Sequence, residues 1–138
     1  MANAVYPKFK EAVLQAAANS ALTGTGSTGL YAVLVDTGVY TYNSLHQFYT
    51  SLSGSPTVEQ EITTVTTTNG IVDGNNVTFP LVPAGATCEA IILFRKNTGA
   101  NSTWRLVCYL DSNVSGLPVT PNGGDITINW NAAGIFGL

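Results

Sequence analysis

Residues 86–111 read ATCEAIILFRKNTGANSTWRLVCYLD, and the rest of the chain can be arranged around them. Cys88, Ala90, Ile92 and Phe94 fall two apart, as do Trp104, Leu106, Cys108 and Leu110. A period of two puts each set on one face of a strand. Between them, Asn97-Thr98-Gly99-Ala100-Asn101 has the residues of a hairpin loop. With Phe94 opposite Trp104, Cys88 faces Leu110 rather than Cys108. That register favours two free, buried thiols over a disulfide.

The same period runs outward from this hairpin. LYAVLVD, residues 30–36, is a continuous apolar run of strand length, expected to be buried on both faces. TVEQEITTVTTTNG (57–70) and GIVDGNNVTFPLV (70–82) read as strands, punctuated by Asn69-Gly70 and Asp73-Gly74. DITINW, 125–130, is a last strand. Two stretches read differently. In KFKEAVLQAAANSAL (8–22), Phe9, Val13 and Ala16/Ala17 recur at helical spacing behind Pro7, which a first turn tolerates. In TYNSLHQFYTSL (41–52), Ser44 is an N-cap candidate and Leu45, Phe48, Tyr49 and Leu52 share one helical face. The expected fold is mainly β: an antiparallel β-sandwich or flattened barrel with an N-terminal helix and one short helix. It forms a single domain over 1–138, with a helical arm over 1–22 and a β-rich body over 30–138.

Composition narrows the function. The 138 residues are 45% apolar and only 9% charged, against roughly a quarter charged in ordinary domains. Thr, Ser, Asn and Gly fill the gap, which suits half-exposed strands and subunit contacts that desolvate few charges. Five basic residues against eight acidic ones give a net charge of −3. That argues against nucleic acid and against an anionic membrane as partners. MANAVYPKFKEAV has no signal-peptide pattern, and no apolar run reaches about 20 residues. Without a secretory signal, the sequons at Asn76, Asn101 and Asn113 carry little meaning.

Each chemical motif has a plainer competitor. Gly24-Thr-Gly26-Ser-Thr-Gly29 spells G-x-G-x-x-G, but the order is helix, glycines, strand, the reverse of a dinucleotide site. His46 is the only histidine, with no nucleophile at recognisable spacing. Zinc is not expected from one histidine and two dispersed cysteines. Glu59 and Glu61 share a strand face and could pair for acid–base work, yet an edge strand defended by charge explains them equally well. Pro121-Asn122-Gly123-Gly124 precedes Asp125 and an alternating run, so it is expected to be a turn delivering the final strand. No catalytic residue, cofactor or metal site follows.

YAVLVDTGVYTYNSLHQF, TCEAIILFRKNTG, WRLVCYLD, GLPVTPNGGDITINW and the ending IFGL together resemble a family of small structural proteins from tailed bacteriophages. The resemblance covers nearly the whole chain, in order, and the GLPVTPNGGDI block is its most specific part. The chain departs from the family pattern at Gly137, where a basic residue often precedes the final Leu. It departs again at Arg95-Lys96, where Lys-Asp is usual, so ionic contacts through those places do not carry over.

The resemblance implies a non-enzymatic virion protein. The favoured role is a capsid decoration (cement) protein made in the host bacterial cytoplasm and bound to the head exterior. Its expected partners are copies of itself (dimer or trimer) and the major capsid protein. Candidate assembly contacts are Tyr6 and Phe9 in the arm, Thr66, Thr67 and Thr68, and Ile135, Phe136 and Leu138 at the end. The competing reading puts Tyr6 and Phe136 in the domain's own core and leaves the threonines facing water. Other roles are a tail, head–tail connector or fibre-base component. From a different class comes a carbohydrate- or host-binding module using Tyr40, Tyr42, Trp104 and Trp130.

Overall fold

The computed structural model describes residues 3–52 and 58–138. Its strands in chain order are β1 (Ala4–Val5), β2 (Leu30–Val35), β3 (Gln60–Glu61), β4 (Ile71–Val72), β5 (Val77–Phe79), β6 (Ala90–Arg95), β7 (Arg105–Leu110), β8 (Ile126–Ile128) and β9 (Phe136–Gly137). One α-helix, α1 (Pro7–Leu14), follows β1. Five strands form an antiparallel sheet in the order β1-β7-β6-β2-β3, while β4–β9 and β5–β8 make two small antiparallel sheets. The fold is therefore mainly β, and no closed barrel forms among the described residues.

The β6–β7 hairpin is central, flanked by β2 on one side and β1 on the other. All six residues of β6 are buried, as are five of six in β2, because neighbours cover both faces of these strands. Register sorts the side chains. Tyr31 stands beside Phe94, and Val33 beside Ile92, which in turn stands beside Tyr109. Directly opposed residues share a face, so these side chains form one layer. Aromatic rings cover it: Phe94 meets Tyr31, Tyr49 and Trp104, and Tyr42 bridges Tyr6 and Tyr109.

Much of that cover comes from residues 36–52, a strap that returns to the outer edge of β7. The Leu106 N–H donates to the Gln47 carbonyl, and the Tyr49 N–H to that of Trp104. Further along the same edge, the Tyr6 N–H donates to the Val107 carbonyl, and β1 pairs with Cys108 and Tyr109. Strap and N-terminal arm thus divide one sheet edge between them. Asn3 ties the arm down, its Oδ1 accepting the N–H groups of Asp111 and Ser112.

Several local expectations change. The short helix over 44–52 is reduced to a single 3₁₀ turn, Tyr49–Ser51. Phe48 bridges to Arg105 instead, and Asn43, not Ser44, accepts the Leu45 N–H. Pairing with the β7 edge supplies tertiary hydrogen bonds that a short isolated helix lacks. Leu45 consequently lies 74% exposed. In α1 the buried stripe is Phe9 and Ala12 rather than Phe9, Val13 and Ala16. The helix stops at Leu14 because Ala16 turns left-handed (φ 50°) and the Ala17 N–H reaches back to the Ala12 carbonyl.

The strands expected over 57–70 and 70–82 break into pieces, the first expected to start at Thr57, which lies outside the described residues. Left-handed Thr64 (φ 57°) and Asn69 (φ 55°) bend the chain, leaving β3, a Thr66–Asp73 bridge, β4 and β5. The hairpin register also shifts: a bulge at Leu93/Phe94 places Phe94 opposite Leu106, not Trp104. A longer loop causes this, with a 3₁₀ turn at Asn101–Thr103 and Asn97 bonded to Thr103. Cys88 then pairs with Val119 rather than Leu110.

Pro121–Gly124 forms a clasp. Gly123 adopts φ 94°, its N–H donates to the Val82 carbonyl, and the Asp125 carboxylate accepts the Leu81 N–H. The chain then enters β8. There Ile126 and Ile128 are buried beside Phe79 and Val77, while Thr78 and Thr127 join hydroxyls outside. Both small sheets contribute to one apolar core with the central strands.

Candidate functional site

Three distant segments converge on one apolar surface. The second half of α1 supplies Lys10, Val13 and Leu14. The turn before β4 supplies Thr67 and Gly70, and the chain end supplies Leu138. Two adjoining hollows result. The larger, about 300 Å³, is lined by Phe9, Val13, Leu22, Thr67, Val72 and Leu138 among others. The smaller, about 210 Å³, lies between α1 and Leu138. Pairing of β9 with β4 sets the position of the chain end, and the Leu138 N–H donates to the Gly70 carbonyl.

Exposure shows what this surface offers. Leu14 is 87% exposed and Leu138 57%, with Val13 also exposed. A contiguous apolar patch on a protein surface marks a contact site more often than scattered apolar residues do. Lys10 is the one charged side chain among the described residues lining these hollows, and Lys8 and Glu11 pair with each other on the same helix. Desolvating this area therefore costs less than desolvating an ordinary surface.

The residues singled out from the sequence divide three ways. Tyr6 and Phe9 are buried in the chain's own core, so they do not present side chains to a partner. Phe9 serves as the floor of the larger hollow, and Tyr6 packs on Tyr42. Thr66, Thr67 and Thr68 are exposed, and Thr67 lies on the groove. At the end of the chain Ile135 is buried and Phe136 half-buried, leaving Leu138 as the exposed member. Sequence reasoning missed Leu14. Leu14 lies off the Phe9–Ala12 stripe of α1, a signal visible only once the buried face of the helix is known.

The chemical alternatives separate in space. Glu59 pairs with Lys96, whereas Glu61 accepts the Gly26 N–H at 2.7 Å, so the two carboxylates do not act together. The Glu61 contact also places a carboxylate at the glycine turn, where a phosphate would be repelled. Trp130 is buried and donates to the Asn75 carbonyl. Trp104 is half-buried, stacked on Phe94 with the Lys96 ammonium over its ring. Tyr40 is buried and Tyr42 is wedged between two tyrosines. These rings are used in packing and form no flat exposed platform for a sugar. Among the described residues no cluster of three or more His, Cys, Asp or Glu side chains is arranged to hold a metal. No helix among them is long and apolar enough to cross a membrane.

Both cysteines are buried and unbridged. Burial pushes the Cys108 thiol up to about 12. Burial, then Asp36 and Glu89, raises that of Cys88. Because the thiolate is the reactive form, neither should react quickly with a thiol-exchange reagent in the folded protein. Both should react together on denaturation. A rapidly modified thiol in native buffer would contradict this packing.

Comparison with protein-family models, with curated proteins and with solved structures yields no match.

Proposed function

We propose that this chain is a non-enzymatic structural protein of a tailed-bacteriophage virion, and that it decorates the head exterior as a cement protein. The observation that carries the reading is the apolar surface built from Val13, Leu14 and Leu138 on a chain otherwise poor in charge. The sequence resemblance names the particle; the surface gives the chain a means of attachment. Each copy buries a modest neutral area against the major capsid protein, and self-association as a dimer or trimer repeats it. Linked weak contacts raise the effective affinity without any single strong interface. Covering the joints of the head lattice in this way would resist the pressure of packaged DNA.

Gold-labelled antibody imaging of intact virions, with copy number from quantitative protein mass analysis of the same particles, tests the proposal. Label over the head at hundreds of copies is the expected result. A few copies at the neck or tail would overturn decoration and assign the same surface to a ring or stack. Absence from purified particles would overturn the virion reading itself.

A further inference from the structure

Beneath the strap runs a hydrogen-bonded relay that the assembly surface does not use. The Tyr6 hydroxyl lies 2.8 Å from that of Tyr40, which lies 2.8 Å from Nδ1 of His46. Tyr6 and Tyr40 are buried, and His46 is half-buried. The two ends belong to different parts of the fold. Tyr6 is where the N-terminal arm becomes α1, its carbonyl accepting the Phe9 and Lys10 N–H groups. His46 sits in the strap, one residue before the Gln47 carbonyl bonded to β7.

Counting donors fixes the order of the relay. Burial raises both phenols above their ordinary range, so both keep their protons. Two hydroxyl protons need two acceptors. With Nδ1 unprotonated, Tyr6 donates to Tyr40 and Tyr40 donates to His46, and both are satisfied. An imidazolium reverses the order: His46 donates to Tyr40, and Tyr40 to Tyr6. The Tyr6 proton then has no acceptor in reach among the described residues. A buried donor left unpaired is costly, and swinging the strap away removes the conflict.

We propose that His46 is an acid-sensitive latch: its neutral ring fastens the strap to the N-terminal arm, and protonation releases strap residues 40–48 from the aromatic layer. The device belongs to the fold and goes beyond the assembly role. Around it stand Tyr40 and Tyr42 on the strap, Tyr6 on the arm, and Tyr109, Asp111 and Glu89 about the neighbouring hollow of about 480 Å³. Arg105 lies over the Phe48 ring. The His46 ring's one hydrogen-bond partner among the described residues is Tyr40. Burial holds the ring below its ordinary value of 6.5. A folded value below the unfolded one makes the latch's contribution complete above the unfolded value. It is lost as pH falls through the interval beneath.

His46 is the only histidine, so its ring resonances can be followed by NMR, alongside hydrogen exchange of the strap amides, between pH 7.5 and 5. In the native sequence the strap's opening constant should rise by up to about tenfold per pH unit in the window of proton uptake, while β6 amides stay protected. Tyr40→Phe removes the reversing hydroxyl, so His46 should titrate at a higher pH and strap exchange should lose its dependence on pH. Tyr6→Phe keeps the Tyr40–His46 bond and should titrate like the native protein. His46→Asn keeps an acceptor near the Nδ1 position but cannot titrate, so its strap should stay closed across the range. The latch is overturned if His46 titrates at its ordinary value in the native chain. It is equally overturned if Tyr40→Phe leaves the titration unmoved, or if His46→Asn retains the pH-dependent opening.

Discussion

Phe94→Ala is expected to cost the fold about 4 kcal/mol, the middle of the range for emptying a buried phenylalanine site. Phe94 is wholly buried in the central strand β6 and its ring meets three others: Tyr49 at 4.7 Å, Trp104 at 5.8 Å and Tyr31 at 5.9 Å. Those neighbours come from the strap, β2 and the hairpin loop, so no single movement closes the hole. Total stability of a domain is about 5–15 kcal/mol, which makes this one substitution a large share of it. For a chain of this length the melting temperature should fall by about 14 °C. Leu45→Ala is the control, because Leu45 is exposed and its removal should change stability by less than about 0.5 kcal/mol. Chemical denaturation of the two variants beside the parent decides the matter. A loss below about 1 kcal/mol for Phe94→Ala would mean that the ring cluster is not a packed unit.

The second large effect falls on the proposed attachment rather than on stability. Leu14→Glu combined with Leu138→Glu should lower the melting temperature only slightly, since Leu14 is almost wholly exposed and Leu138 more than half exposed. Binding to heads stripped of the protein should fall sharply. Burying each leucine in an interface is worth about 2 kcal/mol, so losing two weakens a single contact by about a hundredfold to a thousandfold. Repetition over many sites multiplies the loss. Co-sedimentation with stripped particles, at matched protein concentration, measures it. Retained binding by a folded double variant would sink the assignment of this patch as the contact surface. A Thr67→Ala variant should do far less, because a threonine at the rim of the groove contributes little desolvated area.

Several parts of this architecture were legible in the chain alone. LYAVLVD is a continuous apolar run of strand length, and a run with no polar face must be covered on both sides, while ATCEAIILFRK reads as one strand of a hairpin from its alternation. That made both strands legible before any neighbour was known, and their central place came from the pairing. The Asn97–Asn101 loop and the Pro121–Gly124 turn were equally legible, because proline, asparagine and glycine limit what the backbone can do there. Low charge set a neutral surface, and the two cysteines read as core residues from their alternation.

Tertiary structure alone settled the rest, wherever two local outcomes lie close in energy and a distant partner chooses between them. The 44–52 segment has a helical pattern but becomes a bridge and a 3₁₀ turn, since the edge of β7 offers hydrogen bonds that a short helix in water lacks. Threonine-rich 58–70 has strand propensity, yet β3 is only two residues long and left-handed Thr64 turns the chain soon after it. Register behaved in the same way: a longer loop and a bulge moved Phe94 from Trp104 to Leu106, a choice that alternation cannot encode. The proposed attachment surface is the clearest case. Leu14 and Leu138 stand at nearly opposite ends of the sequence, too far apart for any local pattern to join them. Only the pairing of β9 with β4 and the docking of α1 bring them onto one face.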